Sequence, residues 1–414
     1  MDEKTGFIDD FGPLPIERPR SVEEIGESVR RATMAKQAVY PIGGRTQLNA
    51  GLKPTKPGII LDTRSLDAVL DYPARDMTVT VKAGLTIAAL QRLLAAENQR
   101  LPIDVPRPEQ ATVGGTLAAN VSGSRRFGFG TLRDYVLGMS TVNDDGQEVK
   151  AGGRVVKNVA GYDLPKLHIG AFGTLGVITQ VTFKLRPTPE STALLACACT
   201  SEHLGVLLDH LHGTKTRPVS LDVLNNVAVK SLAPITLTLP ASEWLILVGY
   251  EDNMTAVSWQ VRQLMEEIAP AGILGLEVWS GACAVPLWQA LTEFGLQPTA
   301  TLSFKANLLP GEVAAFCDHA LRLLPDLSLL AHAGAGIVRG HLGGDLTLER
   351  ATVILKELQE RAVAGKGNVV VTQCASSWKS SLPIRGTARG DAWLMRRVKE
   401  TLDPRGIFNP GRFI

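Results

Sequence analysis

The first 187 residues alternate short β-branched runs with amphipathic stretches, a pattern that predicts strands and helices in turn. Ser21 opens the periodic run SVEEIGESVRRA, and Glu23 and Glu24 follow in its first turn. A serine side chain caps free backbone N–H groups and early acids suit the helix dipole, so we expect a helix to begin here. The other predicted elements are strands at 38–41, 59–61, 78–81 and 177–185 and a helix at 87–97.

Residues 188–384 change rhythm, because apolar runs now alternate with longer helical patterns. Cys197 and Cys199 lie two positions apart in a predicted strand and therefore point to one face, which favours core packing. The order of elements indicates an antiparallel sheet covered by helices on one face, an α+β layer. The predicted strands are STALLACACT, WLILVGY, LSFKA, LSLLAHAGAG and NVVVT, and the predicted helices are EHLGVLLDHLHG, MTAVSWQVRQLMEEI, GEVAAFCDHALRLL and LERATVILKELQERAV.

The last 30 residues hold a basic helix, DAWLMRRVKETL, which ends at the turn DPRG and leads into the tail FNPGRFI. These patterns divide the chain into residues 1–188, 189–384 and 385–414. A length of 414 residues suits two or three domains.

The charge of the chain is close to balanced, with 43 Lys and Arg against 41 Asp and Glu. A net charge of +2 argues against nucleic acid or an anionic membrane as the main partner. The start, Met1-Asp2-Glu3-Lys4, lacks the basic and apolar regions of a signal peptide, and no apolar run approaches the roughly 20 residues that span a bilayer. We expect a cytoplasmic protein, peripheral to the inner membrane at most through its partners.

The cysteines also bear on function. Five cysteines, an odd number, fit a reducing compartment. Because no CxxC pair occurs, we expect no iron–sulfur cluster on this chain.

A glycine pair follows the predicted strand at 38–41, in the loop PIGGRTQLNAG. Gly43 and Gly44 allow a ligand to approach backbone N–H groups, while Arg45 offers charge and Thr46 a hydroxyl. Such a loop suits a pyrophosphate, although a tight turn after a strand explains most glycine pairs equally well.

A longer glycine-rich passage spans residues 109–136, and two interpretations stay open for it. It is either a surface loop of turn residues or a binding loop. Loops of this length without structure are uncommon in compact domains unless they bind something. Its small and polar candidates are Thr112, Gly114, Gly115, Thr116, Asn120, Ser122 and Gly123.

A third segment, residues 155–187, has a turn at Gly173 and Gly176 before a β-branched strand. That strand either lies in the core or presents its first backbone groups to a flat ring. No GxGxxG motif follows a strand and opens a helix, and no GxxxxGK[ST] motif occurs. Neither an NAD-type site nor a P-loop is therefore supported.

Four segments together resemble the FAD-linked oxidase family, in order and in spacing. They are PIGGRTQLNAG, ATVGGTLAANVSG, KNVAGYDLPKLHIGAFGTLGVITQVTFKL and LDPRGIFNPGR. The resemblance covers most of residues 20–188 and the C-terminal segment, whereas the middle of the chain is similar in pattern only. Two stretches, GGRVVKNVAGYDLPKL and SGSRRFGFGTLRDYVLG, look most like the FAD-binding subunits of bacterial glycolate oxidases.

The resemblance implies an α+β fold of the PCMH (vanillyl-alcohol-oxidase) type, in which two small subdomains clasp FAD. A ferredoxin-like antiparallel cap would cover the flavin, and the tail would return to the FAD-binding domain. Some relatives tether FAD through a histidine near the first loop, but this loop has none, so we expect non-covalent FAD. The implied cofactor-binding residues are Pro41, Ile42, Gly43, Gly44, Arg45, Thr46, Gln47, Thr112, Gly114, Gly115, Thr116, Asn120, Ser122, Gly123, Val177 and Ile178.

Relatives that oxidise D-2-hydroxy acids carry a cap motif, GHxGDGNLH, that corresponds here to AHAGAGIVRGH. His332 is retained, but Ala335, Ile337 and Arg339 stand at the acid, amide and second histidine positions. We expect no metal site, because a cation needs several converging ligands. His341 could replace the missing histidine, although a lone histidine is more often a packed or surface residue.

Oxidation of a 2-hydroxy acid at a flavin requires a base for the hydroxyl proton and a cation for the carboxylate. Arg339, Arg385 and Arg389 are candidate carboxylate binders, with surface or phosphate roles as alternatives. The sequence identifies no base. His210 and His212 diverge on a predicted helix, and we expect both to be solvated.

The resemblance implies an FAD-binding subunit of a glycolate, or D-2-hydroxy acid, oxidase complex. Its partners would be a homologous catalytic flavoprotein, where the primary oxidation occurs, and an iron–sulfur subunit that receives the electrons. Two alternatives stay open. One is a self-sufficient FAD-dependent 2-hydroxy acid dehydrogenase, and the other is a non-catalytic subunit that stabilises its partner.

Overall fold

The chain folds as two units, and the computed structural model describes residues 4–153, 162–232, 237–387 and 390–413. The first unit comprises Met1–Val121, Thr131–Thr188 and Ala388–Ile414. The second unit comprises Ser122–Gly130 and Pro189–Thr387. Residues 154–161, which include the first five positions of the motif KNVAGYDLPKL, lie outside the described residues.

The elements alternate along the chain much as the periodicity predicts. The strands are β1 (Thr5–Ile8), β2 (Phe11–Glu17), β3 (Ala38–Ile42), β4 (Gly58–Asp62), β5 (Val69–Asp71), β6 (Thr78–Lys82), β7 (Gln99–Arg100), β8 (Val136–Val142), β9 (Glu148–Gly152), β10 (Val177–Lys184), β11 (Arg186–Pro187), β12 (Ser191–Cys199), β13 (Ser220–Asn225), β14 (Trp244–Asp252), β15 (Gly275–Ser280), β16 (Leu302–Asn307), β17 (Ser328–His332), β18 (Ile337–Leu342) and β19 (Asn368–Gln373). The helices are α1 (Val22–Met34), α2 (Ile87–Ala95), α3 (Val113–Ala119), α4 (Arg126–Phe129), α5 (Leu132–Tyr135), α6 (Pro165–His168), α7 (Ser201–His212), α8 (Asn226–Ser231), α9 (Met254–Ile268), α10 (Val285–Glu293), α11 (Val313–Leu323), α12 (Leu348–Ala364) and α13 (Ala392–Leu402).

The first unit contains two main sheets. One has the order β1-β2-β4-β3, in which β4 runs parallel to both β2 and β3. The other is antiparallel, with the order β5-β6-β10-β8-β9. Helix α1 begins as expected, because the Ser21 hydroxyl oxygen accepts a hydrogen bond from the Glu24 N–H at 3.2 Å. Its Ile25 and Val29 then enter one core with Val177 and with Phe408 of the C-terminal tail.

The passage at residues 109–136 is not a continuous loop, because α3, α4 and α5 interrupt it. The hydroxyl oxygen of Thr112 accepts from the Gly115 N–H at 3.2 Å and so caps α3. Val113 and Leu117 of that helix are buried, and burial of these side chains outweighs the low helix propensity of its two glycines.

The second unit is built on an eight-stranded antiparallel sheet of order β15-β12-β14-β13-β17-β18-β16-β19. Its first four strands in the chain lie in the order 4-1-3-2, and the next four repeat this arrangement. Each half is a βαββαβ unit of the ferredoxin-like type, and the halves join through β13 and β17. The cap is therefore a ferredoxin-like fold present twice.

Helices cover this sheet. Helix α7 contacts α9 and α11, and α11 in turn contacts α12. On the face that carries Leu224 and Leu330, Trp288 of α10 completes a separate core. Cys197 and Cys199 are buried, as predicted, while His210 and His212 are exposed on α7.

The segment Ser122–Gly130 is fixed in the second unit by polar and ring contacts. The Arg125 Nε donates to the Glu251 carboxylate at 2.7 Å, and its guanidinium lies 3.9 Å from the centre of the Trp288 ring. The Gly128 N–H donates to the Val219 carbonyl oxygen at 3.0 Å. Among the described residues, no helix is long and apolar enough to cross a membrane.

Candidate functional site

The loop that follows β3 lies directly on the segment that precedes α3. A Cβ atom at Gly43 would come 2.0 Å from the Thr112 hydroxyl oxygen, and one at Gly44 would come 1.7 Å from the Gln110 carbonyl oxygen. Both distances are far below van der Waals contact, so only glycine allows the loop to lie against the Thr112 side chain and the Gln110 backbone. The glycine pair is therefore required by packing within the protein itself.

A groove of two adjoining cavities, open to solvent, lies over this contact. The cavities share Pro41, Ile42, Gly43, Gly115, Ala118 and Phe172 in their walls. All the lining residues belong to the first unit.

Twelve of the sixteen residues implied by the resemblance line this groove. They are Pro41, Ile42, Gly43, Gly44, Arg45, Thr46, Gln47, Thr112, Gly114, Gly115, Val177 and Ile178. Thr116, Asn120, Ser122 and Gly123 are not part of its walls. The Thr116 hydroxyl donates to the Thr112 carbonyl oxygen within α3, and Ser122 and Gly123 belong to the second unit.

Two observations test whether an FAD fits here. A Cβ atom at Gly115 would meet only the Thr112 hydroxyl oxygen, at 3.1 Å, so a larger side chain there would extend into the groove. Asn120 ends α3 in the left-handed conformation, and its buried side-chain oxygen has no hydrogen-bond partner among the described residues. A buried oxygen in this state indicates a missing donor, which the ribityl or ribose hydroxyls of FAD would supply.

Three residues that line the groove were not predicted from the sequence. Phe172, Asn409 and Arg412 line it together with the loop after β3. Phe172 has a φ of 54°, which no local pattern predicts for an aromatic residue. Asn409 and Arg412 lie in the tail motif FNPGR, whose return to the first unit was expected but whose place in the groove was not.

The cap motif AHAGAGIVRGH forms the end of β17, a 3-10 turn and most of β18. The His332 Nδ1–H donates to the Asp222 carboxylate at 2.7 Å, and both side chains are almost completely buried. The second oxygen of Asp222 has no partner among the described residues. The carboxylate fixes the ring and leaves Nε2 as the imidazole's proton acceptor.

His341 is a packed histidine. Its Nε2–H donates to the Phe294 carbonyl oxygen at 2.9 Å, and its Nδ1 accepts from the Ser303 hydroxyl at 2.8 Å. Burial, and secondarily the charge of Arg339, lowers the pKa of His341 to about 4. With both nitrogens bonded to protein, His341 does not replace the lost ligand of the relatives' motif. Within the described part of the chain, no group of three or more His, Cys, Asp or Glu side chains converges as a metal site.

Two cations face each other across strands β16 and β18. Lys305 pairs directly with Arg339 in the antiparallel register, so both side chains lie on one face of the sheet. Burial and the charges of Arg339 and Arg126 lower the pKa of Lys305 to about 8, and burial with Arg126 lowers that of Arg339 to about 10. Arg339 also donates to the Ser122 carbonyl oxygen at 3.2 Å. Like charges opposite one another are destabilising, and an anion would relieve this repulsion.

The histidine and the cations share one face of the sheet. Leu330 pairs with Arg339 and His332 pairs with Ile337, so His332 is the diagonal neighbour of Arg339. Diagonal neighbours in antiparallel strands lie roughly 7–8 Å apart. Arg385 lies outside this group, after β19, where its carbonyl oxygen accepts from Asn368, and Arg389 falls outside the described residues.

Comparisons with known proteins agree with this architecture. Residues 13–152 match the FAD binding domain family, and residues 387–413 match the C-terminal domain of FAD linked oxidases. The chain resembles a solved alkyldihydroxyacetonephosphate synthase with a TM-score of 0.69 at 18% identity, over 95% of this chain and 76% of that one. The fold is thus that of a PCMH-type FAD-binding protein with an antiparallel cap.

Relatives of similar length share about a quarter of the sequence. Glycolate oxidase subunit GlcD of Bacillus subtilis is 26% identical over 97% of this chain and 88% of the relative. Glycolate oxidase subunit GlcE of Escherichia coli is 27% identical over 93% and 95%. D-2-hydroxyglutarate dehydrogenase of Xanthomonas citri is 26% identical over 97% and 89%. Two stretches of the chain therefore match family models of FAD-linked oxidases, and the full-length relatives are named as glycolate oxidase subunits and a D-2-hydroxyglutarate dehydrogenase.

The open space at Gly115 generates a test of the groove. We expect Gly115→Leu to weaken FAD binding at least about tenfold, equivalent to about 1.4 kcal/mol, because the side chain occupies the cofactor's volume. FAD affinity is measured by the quenching of FAD fluorescence on titration with apoprotein. Gly311→Leu is the matched control, since a Cβ atom there meets nothing within 4 Å. Unchanged FAD affinity in Gly115→Leu would place the cofactor elsewhere.

The lowered pKa of Lys305 predicts pH-dependent anion binding. The ammonium loses its proton as pH rises through about 8, whereas the guanidinium of Arg339 keeps its charge until about 10. Affinity for oxalate should therefore fall by up to about tenfold per pH unit above pH 8. Calorimetric titration of the FAD-loaded chain with oxalate measures this.

Lys305→Met should remove the step near pH 8. Lys356→Met, on the exposed face of α12, should retain it. Oxalate binding that is independent of pH in the unchanged chain would exclude Lys305 from the anion site.

Proposed function

We propose that the chain is an FAD-binding subunit of a 2-hydroxy acid oxidase complex and that it oxidises the acid at its own flavin. The observation that carries this proposal is the arrangement of Lys305, Arg339 and His332 on one face of the cap sheet. A 2-hydroxy acid needs a cation for its carboxylate and a base for its hydroxyl, and this face offers both.

Each residue then has a stated role. Lys305 and Arg339 bind the substrate carboxylate and hold the acid in one orientation. His332 accepts the hydroxyl proton at Nε2, and Asp222 positions the ring and stabilises the imidazolium that forms, as a buried carboxylate does in hydrolase triads. Bound FAD supplies the hydride acceptor.

The groove of the first unit is the proposed binding site for FAD. We propose that the loop Pro41–Gln47 holds the pyrophosphate and that the backbone at Val177 and Ile178 contacts the ring system. Among the residues that the structure describes, no histidine, cysteine or tyrosine lines the two cavities, which supports non-covalent binding. Asn120 is included in the proposed site because of its unpaired oxygen, whereas Thr116, Ser122 and Gly123 lack such support.

The electrons must then leave the flavin. Four of the five cysteines are buried and Cys283 is exposed, at spacings that do not suit an iron–sulfur cluster; the buried ones are Cys197, Cys199, Cys317 and Cys374. We therefore propose that an iron–sulfur subunit accepts the electrons, in a complex that also contains a homologous flavoprotein. The names of the relatives GlcD and GlcE, both subunits of glycolate oxidase, support an assembly of this kind.

The cytoplasmic location, and any membrane association through partners, stay predictions.

A second candidate function places the oxidation on the homologous flavoprotein, as the sequence suggested. The replacement of the relatives' cap motif by Ala335, Ile337 and Arg339 favours it. In that case this chain binds FAD within the complex, and its cation cluster binds an anion that is not oxidised here.

Anaerobic stopped-flow reduction separates the two functions. We expect glycolate, D-lactate or D-2-hydroxyglutarate to bleach the flavin of the isolated chain in a single turnover, with sustained turnover only when an electron acceptor is added. His332→Gln should slow bleaching by about a hundred- to ten-thousand-fold, since general-base assistance typically contributes that much.

His319→Gln, on α11, is the matched control and should bleach at the original rate. Bleaching only after the homologous flavoprotein is added would reject oxidation at this chain and leave the second function.

A further inference from the structure

The C-terminal tail, Ile407–Phe413, forms part of the wall of the FAD groove. It runs beside β3, where the Val39 N–H donates to the Ile407 carbonyl oxygen at 2.7 Å and the Asn409 N–H donates to the Val39 carbonyl oxygen at 3.0 Å. Val39 and Phe408 form a parallel bridge. The tail therefore extends the sheet from which the loop Pro41–Leu48 emerges.

Arg412 fixes the end of that loop. Its buried guanidinium donates to the carbonyl oxygens of Leu48 and Ala50 at 2.7 Å each and of Leu52 at 2.8 Å. It also lies 3.7 Å from the Asp9 carboxylate, and its own carbonyl oxygen accepts from the Leu52 N–H at 3.0 Å. One side chain thus satisfies three backbone oxygens that would otherwise need other partners.

Asn409 holds the opposite wall. Its side-chain N–H group donates to the Phe172 carbonyl oxygen at 2.6 Å. The Phe172 ring, which lines the groove, stacks on Phe413 with 5.6 Å between ring centres. Both walls of the groove are therefore held by residues of one short peptide.

The tail is itself anchored by α13. The Asp403 carboxylate accepts from the N–H groups of Ile407 and Phe408 at 3.1 and 2.9 Å. The Lys399 ammonium pairs with Asp403 and donates to the carbonyl oxygens of Thr174 and Phe408 at 2.6 and 2.9 Å. These contacts link the helix, the tail and the turn before β10 in the first unit.

We propose that the tail is a clamp whose docking is coupled to FAD binding and that Arg412 is the positioning residue of the FAD loop. Without Arg412, the carbonyl oxygens of residues 48–52 lose their donor and the loop relaxes away from the geometry that FAD needs. Coupling between sites is reciprocal, so FAD must in turn stabilise the docked tail.

The first test compares three variants in the full-length chain. We expect Arg412→Met to weaken FAD binding more than tenfold, Arg412→Lys to restore part of the loss, and Arg405→Gln to change it less than twofold. Arg405 is the matched control, because it lies before the tail and pairs with Asp144 and Asp145. FAD affinity is measured by the quenching of FAD fluorescence. Thermal stability is measured on the apoprotein of each variant. Lower stability with unchanged FAD affinity would reduce Arg412 to a structural residue and overturn the proposal.

The second test uses the unchanged chain and needs no variant to fold. Hydrogen exchange is followed at the amides of Leu52 and Asn409, with and without FAD, and Leu329 in the second unit serves as the reference. We expect FAD to slow exchange at least tenfold at both tail-linked amides and to leave Leu329 unchanged. Equal exchange at Leu52 and Asn409 in both states would show that the tail and the cofactor are not coupled.

Discussion

The close approach of the loop after β3 to the segment before α3 determines the shape of the groove in which we propose that FAD binds. Gly43 lies against the Thr112 side chain and Gly44 against the Gln110 backbone, where Cβ atoms would come 2.0 and 1.7 Å from the nearest oxygen. Because neither glycine carries a side chain, the loop packs directly on the segment before α3, and residues of both segments form the wall of an open groove. The groove is thus a product of packing between three chain segments, of which the tail with Arg412 is the third.

Hydrophobic periodicity predicted the elements well where one face of each is buried. Strands β3, β4 and β6 and helices α7, α9 and α12 fall within a few residues of their predicted places, because a buried stripe leaves a period in the sequence. Residues 109–136 were predicted to be a loop because the segment is rich in glycine. In the structure, these glycines serve close packing and the cavity, and part of the segment is helical. Gly114, for example, would place a Cβ atom 2.9 Å from that of Ala83, yet it lies within a helix.

The paired side chains of the cap could not be predicted from the sequence, for a different reason. Asp222 is 110 residues from His332, and Lys305 is 34 residues from Arg339, so only strand register brings each pair together. The ferredoxin-like fold was expected, but its duplication was not. That duplication joins β13 to β17 and so places the aspartate beside the histidine. A single histidine in the cap motif therefore has a partner that no local motif could reveal.

The central claim is that peptide groups of the loop after β3 hold FAD in the groove of the first unit. An experimental structure of the FAD-loaded chain tests it most directly. The account predicts pyrophosphate oxygens within about 3 Å of the backbone nitrogens of residues 43–47, a normal hydrogen-bond distance, and a cofactor hydroxyl bonded to the Asn120 side-chain oxygen. A pyrophosphate bound away from this loop, with Gly115 facing solvent, would contradict it.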